Sequence, residues 1–133
     1  MKVLIDTNII ISAALNPGGR AAQALFKALL SPYEPVICNY IIDELHRKFQ
    51  EKFPHRTVEL EAFLYNALEI IRVVDTPEDA AQAESRIRDV KDRPILRAAL
   101  AAGVDLLLTG DADFLESDIT RPRIISAADF LAL

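Results

Sequence analysis

The chain has 133 residues, of which 51% are hydrophobic and 26% charged, with a formal net charge of −5. That length fits one domain, 1–133, able to bury roughly two-thirds of its unfolded surface, and the acidic balance excludes a general nucleic-acid coat, whose affinity comes from clustered Lys and Arg. A single cysteine, Cys38, permits no internal disulfide and fits a reducing cytoplasm, while no run approaches the ~20 apolar residues of a membrane span.

Lys2–Asp6 reads as a first strand whose apolar run ends in a carboxylate. Residues 7–15 then start a helix that Thr7 or Asn8 can cap. Asn16-Pro17-Gly18-Gly19 is a turn, followed at helical spacing by Arg20–Leu30, which Ser31-Pro32 ends. Pro35–Cys38 is a short strand, and Asn39 is the expected cap of a helix from Tyr40 to about Lys52 with Ile41, Ile42, Leu45 and Phe49 on its buried stripe. A second amphipathic helix spans 57–69, and Ile70–Val74 is a strand. The Ala/Glu-rich stretch 78–87 predicts a short helix, and Arg88–Arg93 a charged loop. Pro94 suits a first helical turn and disfavours helix before it, so the next helix begins there and stops at Gly103. Asp105–Leu108 reads as a strand, 111–115 as a helical turn, Arg123–Ile125 as a strand and Ala127–Leu131 as a last helix. Strands alternating with helices predict a parallel sheet covered on both faces, joined by right-handed crossovers.

Sites in such sheets form outside the carboxyl ends of the strands, which directs attention to the acids there. Asp6 ends the first apolar run, and a buried carboxylate needs a partner or a purpose. Capping the next helix is one such purpose; binding a cation is another, with Asn8 and Thr7 as orienting groups. Asp111 follows Leu106-Leu107-Leu108-Thr109-Gly110, where Gly110 allows a sharp turn and Thr109 offers a hydroxyl; Asp111 too suits either a cap or a ligand. Asp113 can reach the same cluster. Asp92 precedes a helix, where the macrodipole favours an acid in any case. Glu44 adjoins the buried stripe, with Asp43 as its competitor one residue away. Like charges gathered at one sheet edge persist as anions only with cations between them. An all-oxygen set without His or Cys favours Mg²⁺ or Mn²⁺ over zinc; His46 and His55 have no ligand spacing and read as surface residues, and Cys38 as core.

Val3-Leu4-Ile5-Asp6-Thr7-Asn8, then Asp43-Glu44-Leu45, then Asp92 with Ile95-Leu96-Arg97-Ala98-Ala99, then Leu108-Thr109-Gly110-Asp111-Ala112-Asp113-Phe114-Leu115 together resemble the PIN-domain family, in order and interval. The resemblance covers nearly the whole chain. It implies a three-layer α/β/α sandwich around a central, mainly parallel sheet, a carboxylate pocket for Mg²⁺ or Mn²⁺, and hydrolysis of phosphodiester bonds in single-stranded RNA. Small members of this kind are commonly toxins of toxin–antitoxin pairs, the VapC-like group. Carried across, the catalytic acids are Asp6, Glu44, Asp92 and Asp111. Asp6, Asp92, Asp111 and Asp113 bind metal, with Asn8 and Thr109 in support. The resemblance further implies an antitoxin that inserts a basic side chain into the pocket, and a homodimer through Ile9–Leu15 and Ala21–Leu30.

Arg47, Arg93 and Arg97 are expected to pair with phosphates beside the scissile bond, as positioning contacts without sequence information. Two rival phosphotransfer readings lack their residues. A haloacid-dehalogenase phosphatase needs a second Asp where Asn8 stands, and a response-regulator receiver needs an acidic pair after the first strand and a late Lys. The remaining alternative is a PIN-like scaffold or RNA-binding module without catalysis.

Overall fold

The computed structural model describes residues 1–133. Five strands form one parallel sheet: β1 (Lys2–Ile5), β2 (Glu34–Cys38), β3 (Arg72–Val74), β4 (Leu106–Leu108) and β5 (Arg123–Ile125). Their order is β3-β2-β1-β4-β5. Val3, Leu4, Ile5 and Leu107, Leu108 are fully buried, as central strands covered on both faces require.

Seven helices flank the sheet: α1 (Thr7–Leu15), α2 (Arg20–Ala28), α3 (Asn39–Lys52), α4 (Thr57–Ala67), α5 (Arg93–Ala102), α6 (Ala112–Leu115) and α7 (Ala127–Leu131). Right-handed crossovers place α1 to α4 on one face and α5 and α6 on the other. α7 returns to pack on α2, where Lys27 Nζ donates to the carbonyls of Phe130 at 2.6 Å and Leu133 at 3.1 Å. The expected three-layer α/β/α sandwich is what the chain forms. None of its helices is long and apolar enough to cross a membrane.

Local chemistry explains most boundaries. Gly103 ends α5 in the left-handed conformation, at φ 64°, and Pro94 sits in its first turn. Ser126 caps α7 by accepting from the Asp129 N–H at 3.1 Å. Four expectations need correction. Asp6, rather than Thr7 or Asn8, caps α1. Asn39 does not cap α3; it is the first helical residue, and its side chain accepts from the Thr76 N–H at 2.8 Å, tying the exit of β3 to the start of α3. β3 begins at Arg72 rather than Ile70, because α4 ends at Ala67 and residues between them turn back on it.

The fourth concerns 78–87, where only a 3-10 turn forms, over Gln82–Arg86. The competing force is tertiary. Arg97 of α5 donates to both carboxylate oxygens of Glu84 at 3.0 and 2.9 Å and to the carbonyls of Pro77 and Glu78 at 3.0 and 3.3 Å. The Pro77 and Glu78 carbonyls, which would open a local helix, accept from Arg97 and from no backbone N–H. The charged stretch after it also holds a second 3-10 turn, Val90–Asp92, capped by Asp89.

Candidate metal centre

The strand order reverses between β1 and β4, the place where open α/β sheets build their sites. Ile5 pairs with Leu108 across that point, so Asp6 and Thr109 leave the sheet side by side. Thr109 Oγ1 donates to Asp6 Oδ2 at 2.6 Å, and the Thr7 N–H donates to Asp6 Oδ1 at 2.7 Å. Asp6 thus caps α1, yet each of its oxygens keeps a lone pair. The cap and the ligand readings are compatible.

Thr109 also organises Asp111. Its Oγ1 accepts from the Asp111 N–H at 3.0 Å, and Asp111 Oδ1 accepts from the Asp113 N–H at 2.9 Å, capping α6. The sharp turn expected at Gly110 needs no positive φ there, and a Cβ at this position would meet nothing within 4 Å. The hydroxyl and the cap shape the turn instead.

α3 delivers Glu44. It is 3% exposed, whereas Asp43 faces solvent, so the two are told apart by helical phase. The Thr7 hydroxyl donates to Glu44 Oε1, and Arg47, one turn on, stands 3.5 Å from Oε2. Asp92 comes from the first turn leading into α5. Unlike Asp6 and Asp111 it accepts no capping hydrogen bond, and its Oδ2 is buried with no partner.

An unpartnered buried carboxylate oxygen is costly, and its surroundings add to the cost. Burial, then contact with Asp111, then the charges of Asp111, Asp6 and Asp89 push the Asp92 carboxyl up to about 8. Asp6 is raised to about 6 by burial, against the bonds from Thr109 and Thr7, with Glu44 and Asp111 adding repulsion. Such a set of oxygens fits a hard divalent cation, which supplies both the missing partner and the missing charge.

In front of the acids lies a cleft of about 310 Å³ lined by Glu44, Asp92, Asp111, Asp89 and Glu51 on the acidic side and Arg47, Lys48, Lys52 and Lys91 on the basic side. No apolar side chain lines it. Of the expected phosphate contacts, Arg47 is there. Arg93 instead turns its Nε onto the Ile87 carbonyl at 3.0 Å. Arg97 makes four hydrogen bonds, from all three of its nitrogens, to Glu84, Pro77 and Glu78, which leaves it a tether for the 77–84 segment.

Asn8 is exposed and accepts from Lys48 Nζ at 3.4 Å, at the cleft's edge, while Thr7 makes the inner contact. Asp113 is gripped by Arg88, whose Nε and an Nη stand 2.9 and 2.6 Å from its Oδ1. Cys38 is buried, and His46 and His55 are on the surface, as expected. The sequence reading passed over Lys91 and Asp89 as site residues. Their signal was spacing alone, since the 3-10 turn that brings them beside Asp92 has no apolar period to announce it.

Comparison with known proteins follows the same lines. Residues 2–113 match the PIN domain family. No curated protein matches the chain by sequence. Among solved structures, it superposes on VapBC2 of Rickettsia felis bound to a promoter DNA fragment, with TM-score 0.70 and 16% identity over 95% of this chain and 98% of that one. DNA-bound VapBC of Salmonella typhimurium gives 0.68 and 20% identity over 96% and 98%. VapC20 of Mycobacterium tuberculosis, a toxin that cleaves the sarcin-ricin loop, gives 0.62 and 15% over 86% and 93%. At these identities the superpositions establish shared architecture, and the match along 2–113 establishes descent: the chain belongs to the PIN domain family.

Proposed function

We propose that this protein is a Mg²⁺- or Mn²⁺-dependent endoribonuclease that hydrolyses phosphodiester bonds in single-stranded RNA, and that it is the toxin of a type II toxin–antitoxin pair acting in the cytoplasm. The observation that carries the reading is the buried, unpartnered Oδ2 of Asp92 among three further acids from distant segments. A folded chain keeps such a group for a ligand. Asp6, Asp92 and Asp111, with Asp113 beside them, would hold the ions. Bound there, a divalent cation supplies an acidified water and neutralises charge on the leaving oxygen.

The chain's own groups do the rest. Thr109 and Thr7 keep Asp6 oriented, and the Thr7 hydroxyl holds Glu44 where it can accept a proton from an attacking water. Arg47, Lys48, Lys52 and Lys91 line the approach and suit backbone phosphates. The absence of apolar lining leaves no stacking platform for bases inside the cleft.

Membership of the PIN family and likeness to VapBC assemblies support an antitoxin partner. An apolar groove between α2 and α4, lined by Leu25, Phe26, Leu29, Phe63 and Ile70, suits its docking. A homodimer is proposed with it. Ile9, Ile10, Ala13, Ala22, Ala24 and Leu25 lie in the core, however, so the large apolar side chains that Ile9–Leu15 and Ala21–Leu30 fully expose to a second copy are Phe26 and Leu30, at 54% and 66%.

The direct test is cleavage of single-stranded RNA with Mg²⁺ or Mn²⁺. Asp6→Asn is expected to lower the rate by roughly a hundredfold or more, because it removes a charged ligand of the ion that would supply the acidified water, while circular dichroism stays unchanged. Undiminished cleavage by the variant removes the role assigned to Asp6. No cleavage by wild type, with no uptake of Mn²⁺, leaves the scaffold reading standing instead.

A further inference from the structure

Resting on the ribonuclease reading, we infer that the hollow between α1, the end of α3 and the α1–α2 turn is a subsite for the base of a nucleotide flanking the scissile phosphate, with Phe53 as its stacking surface. The cleft itself has no apolar wall, so a base that follows its phosphate in needs a seat outside it. The groove between α1 and α3 leads to one. Lys48 of α3 donates to Asn8 Oδ1 of α1 at 3.4 Å, at the cleft's edge. One turn further along each helix, ~6 Å on, stand Ser12 and Lys52. Beyond them lies a hollow of about 530 Å³, walled by Ile11, Leu15 and Phe53 and rimmed by Ser12, Asn16 and Arg20. Small-molecule sites span roughly 300–1,000 Å³, so the space suits a base.

Phe53 is held in place to receive it. Its N–H donates to the Phe49 carbonyl at 2.8 Å, and its ring leans on the buried Phe49 ring, with centroids 5.6 Å apart and planes tilted 56°. The half-buried remainder of the ring lines the hollow. Stacking on an aromatic face tolerates any base, because every base has a π-face. Asn16 adds polar contacts, since its exposed amide offers donors and an acceptor to a base edge. That amide lies over the bare Cα of Gly19, where a Cβ would stand 2.6 Å from Asn16 Nδ2 and displace it.

Charge points to the same occupant. In a chain of net charge −5, no carboxylate lines this hollow. Arg20, Lys48 and Lys52 enter no ion pair within the chain. They mark a path for a phosphate backbone from the cleft to the far rim, where Arg20 meets the next phosphate. An apolar peptide would have no use for that line of cations.

The chain contains no tryptophan, so Phe53→Trp puts a single reporter in the wall and keeps the stacking face. The experiment titrates this variant, in the Asp6→Asn background that spares the strand, with a short single-stranded RNA and with a strand of equal length whose nucleotides lack bases. RNA is expected to quench the Trp emission to saturation, and the abasic strand to leave it unchanged. Without the reporter, Phe53→Leu is expected to weaken RNA binding about tenfold more than abasic binding. Arg20→Gln is expected to lower the slope of log affinity against log salt by about one for both strands. Equal affinity for the two strands, or an RNA complex that leaves Trp emission unchanged, overturns the subsite, leaves the hollow to a protein segment and keeps the ribonuclease reading. Binding of neither strand overturns the subsite as well, and with no cleavage by wild type the ribonuclease reading falls too.

Discussion

Three carboxylates in this protein sit at the starts of helices, but they are not equivalent. Asp6 and Asp111 accept capping hydrogen bonds, so part of their burial cost is met within the chain. Asp92 accepts none, and its carboxyl is pushed up to about 8 by burial and by Asp111, Asp6 and Asp89. Without metal it is therefore mainly protonated at pH 7, while Asp6, at about 6, is mainly ionised. A cation needs the ionised forms, so uptake must expel protons. Mn²⁺ binding at pH 7 is expected to release about one proton per chain. Calorimetry in buffers of different ionisation enthalpy measures it. Release near zero would mean either that Asp92 is already charged or that the ion does not engage it.

At the level of elements, α3 solves two problems with one helical period. Glu44 points inward to Thr7, and Arg47 and Lys48, three and four residues on, line the cleft outside. The connection from β3 to α5 is different. It has only short 3-10 turns, and its path is held by Arg97 to Glu84, by Arg93 to the Ile87 carbonyl and by buried Ile87. Side chains of the Arg97–Glu84 pair are 18% and 9% exposed, and Arg97 holds the Glu84 carboxyl below its ordinary range. Replacing Arg97 with Met leaves that carboxylate only the Ala81 N–H at 2.9 Å and the more distant charge of Arg93. The expected result is a loss of about 1–3 kcal/mol, the cost of an unsatisfied buried acceptor, with faster amide exchange confined to 77–89. Exchange that rises evenly over the whole chain would show the pair to be a general stabiliser and not a tether for this segment.

Across the whole molecule the acids set the pH dependence of folding. Asp6 and Asp92 are raised from 3.8 to about 6 and about 8, so the folded state holds protons that the unfolded chain has already lost. Their contribution is fully present below the unfolded value and is lost as pH rises through about 6 and then about 8. For Asp6 alone the change is on the order of 3 kcal/mol. Glu84 runs the opposite way, but only below its ordinary 4.5. Metal-free protein in chelator is therefore expected to melt at progressively lower temperature from pH 5 to pH 8. Excess Mn²⁺, binding only the folded chain, reverses the trend. A melting temperature that climbs with pH in chelator would contradict it.

The linear order of residues determined a great deal here by itself. Apolar runs of strand length ending at Asp6 and near Asp111, helical stripes on either side of them, and Pro94 and Gly103 as punctuation carry the architecture, because burial on two faces and backbone capping are local demands written as local patterns. They also carry Asp6 and Asp111 to one edge of the sheet, since β1 and β4 are neighbours and each acid follows the end of its strand. Tertiary structure decided what depends on partners distant in the chain. Helical phase against Thr7 buried Glu44 and exposed Asp43; Glu84 drew Arg97 away from the cleft and unwound the helix expected over 78–87; the turn before α5 brought Asp89 and Lys91 to the site. A long charged side chain reaches whichever opposite charge the fold sets near it, and that neighbour is settled only when the sheet has closed.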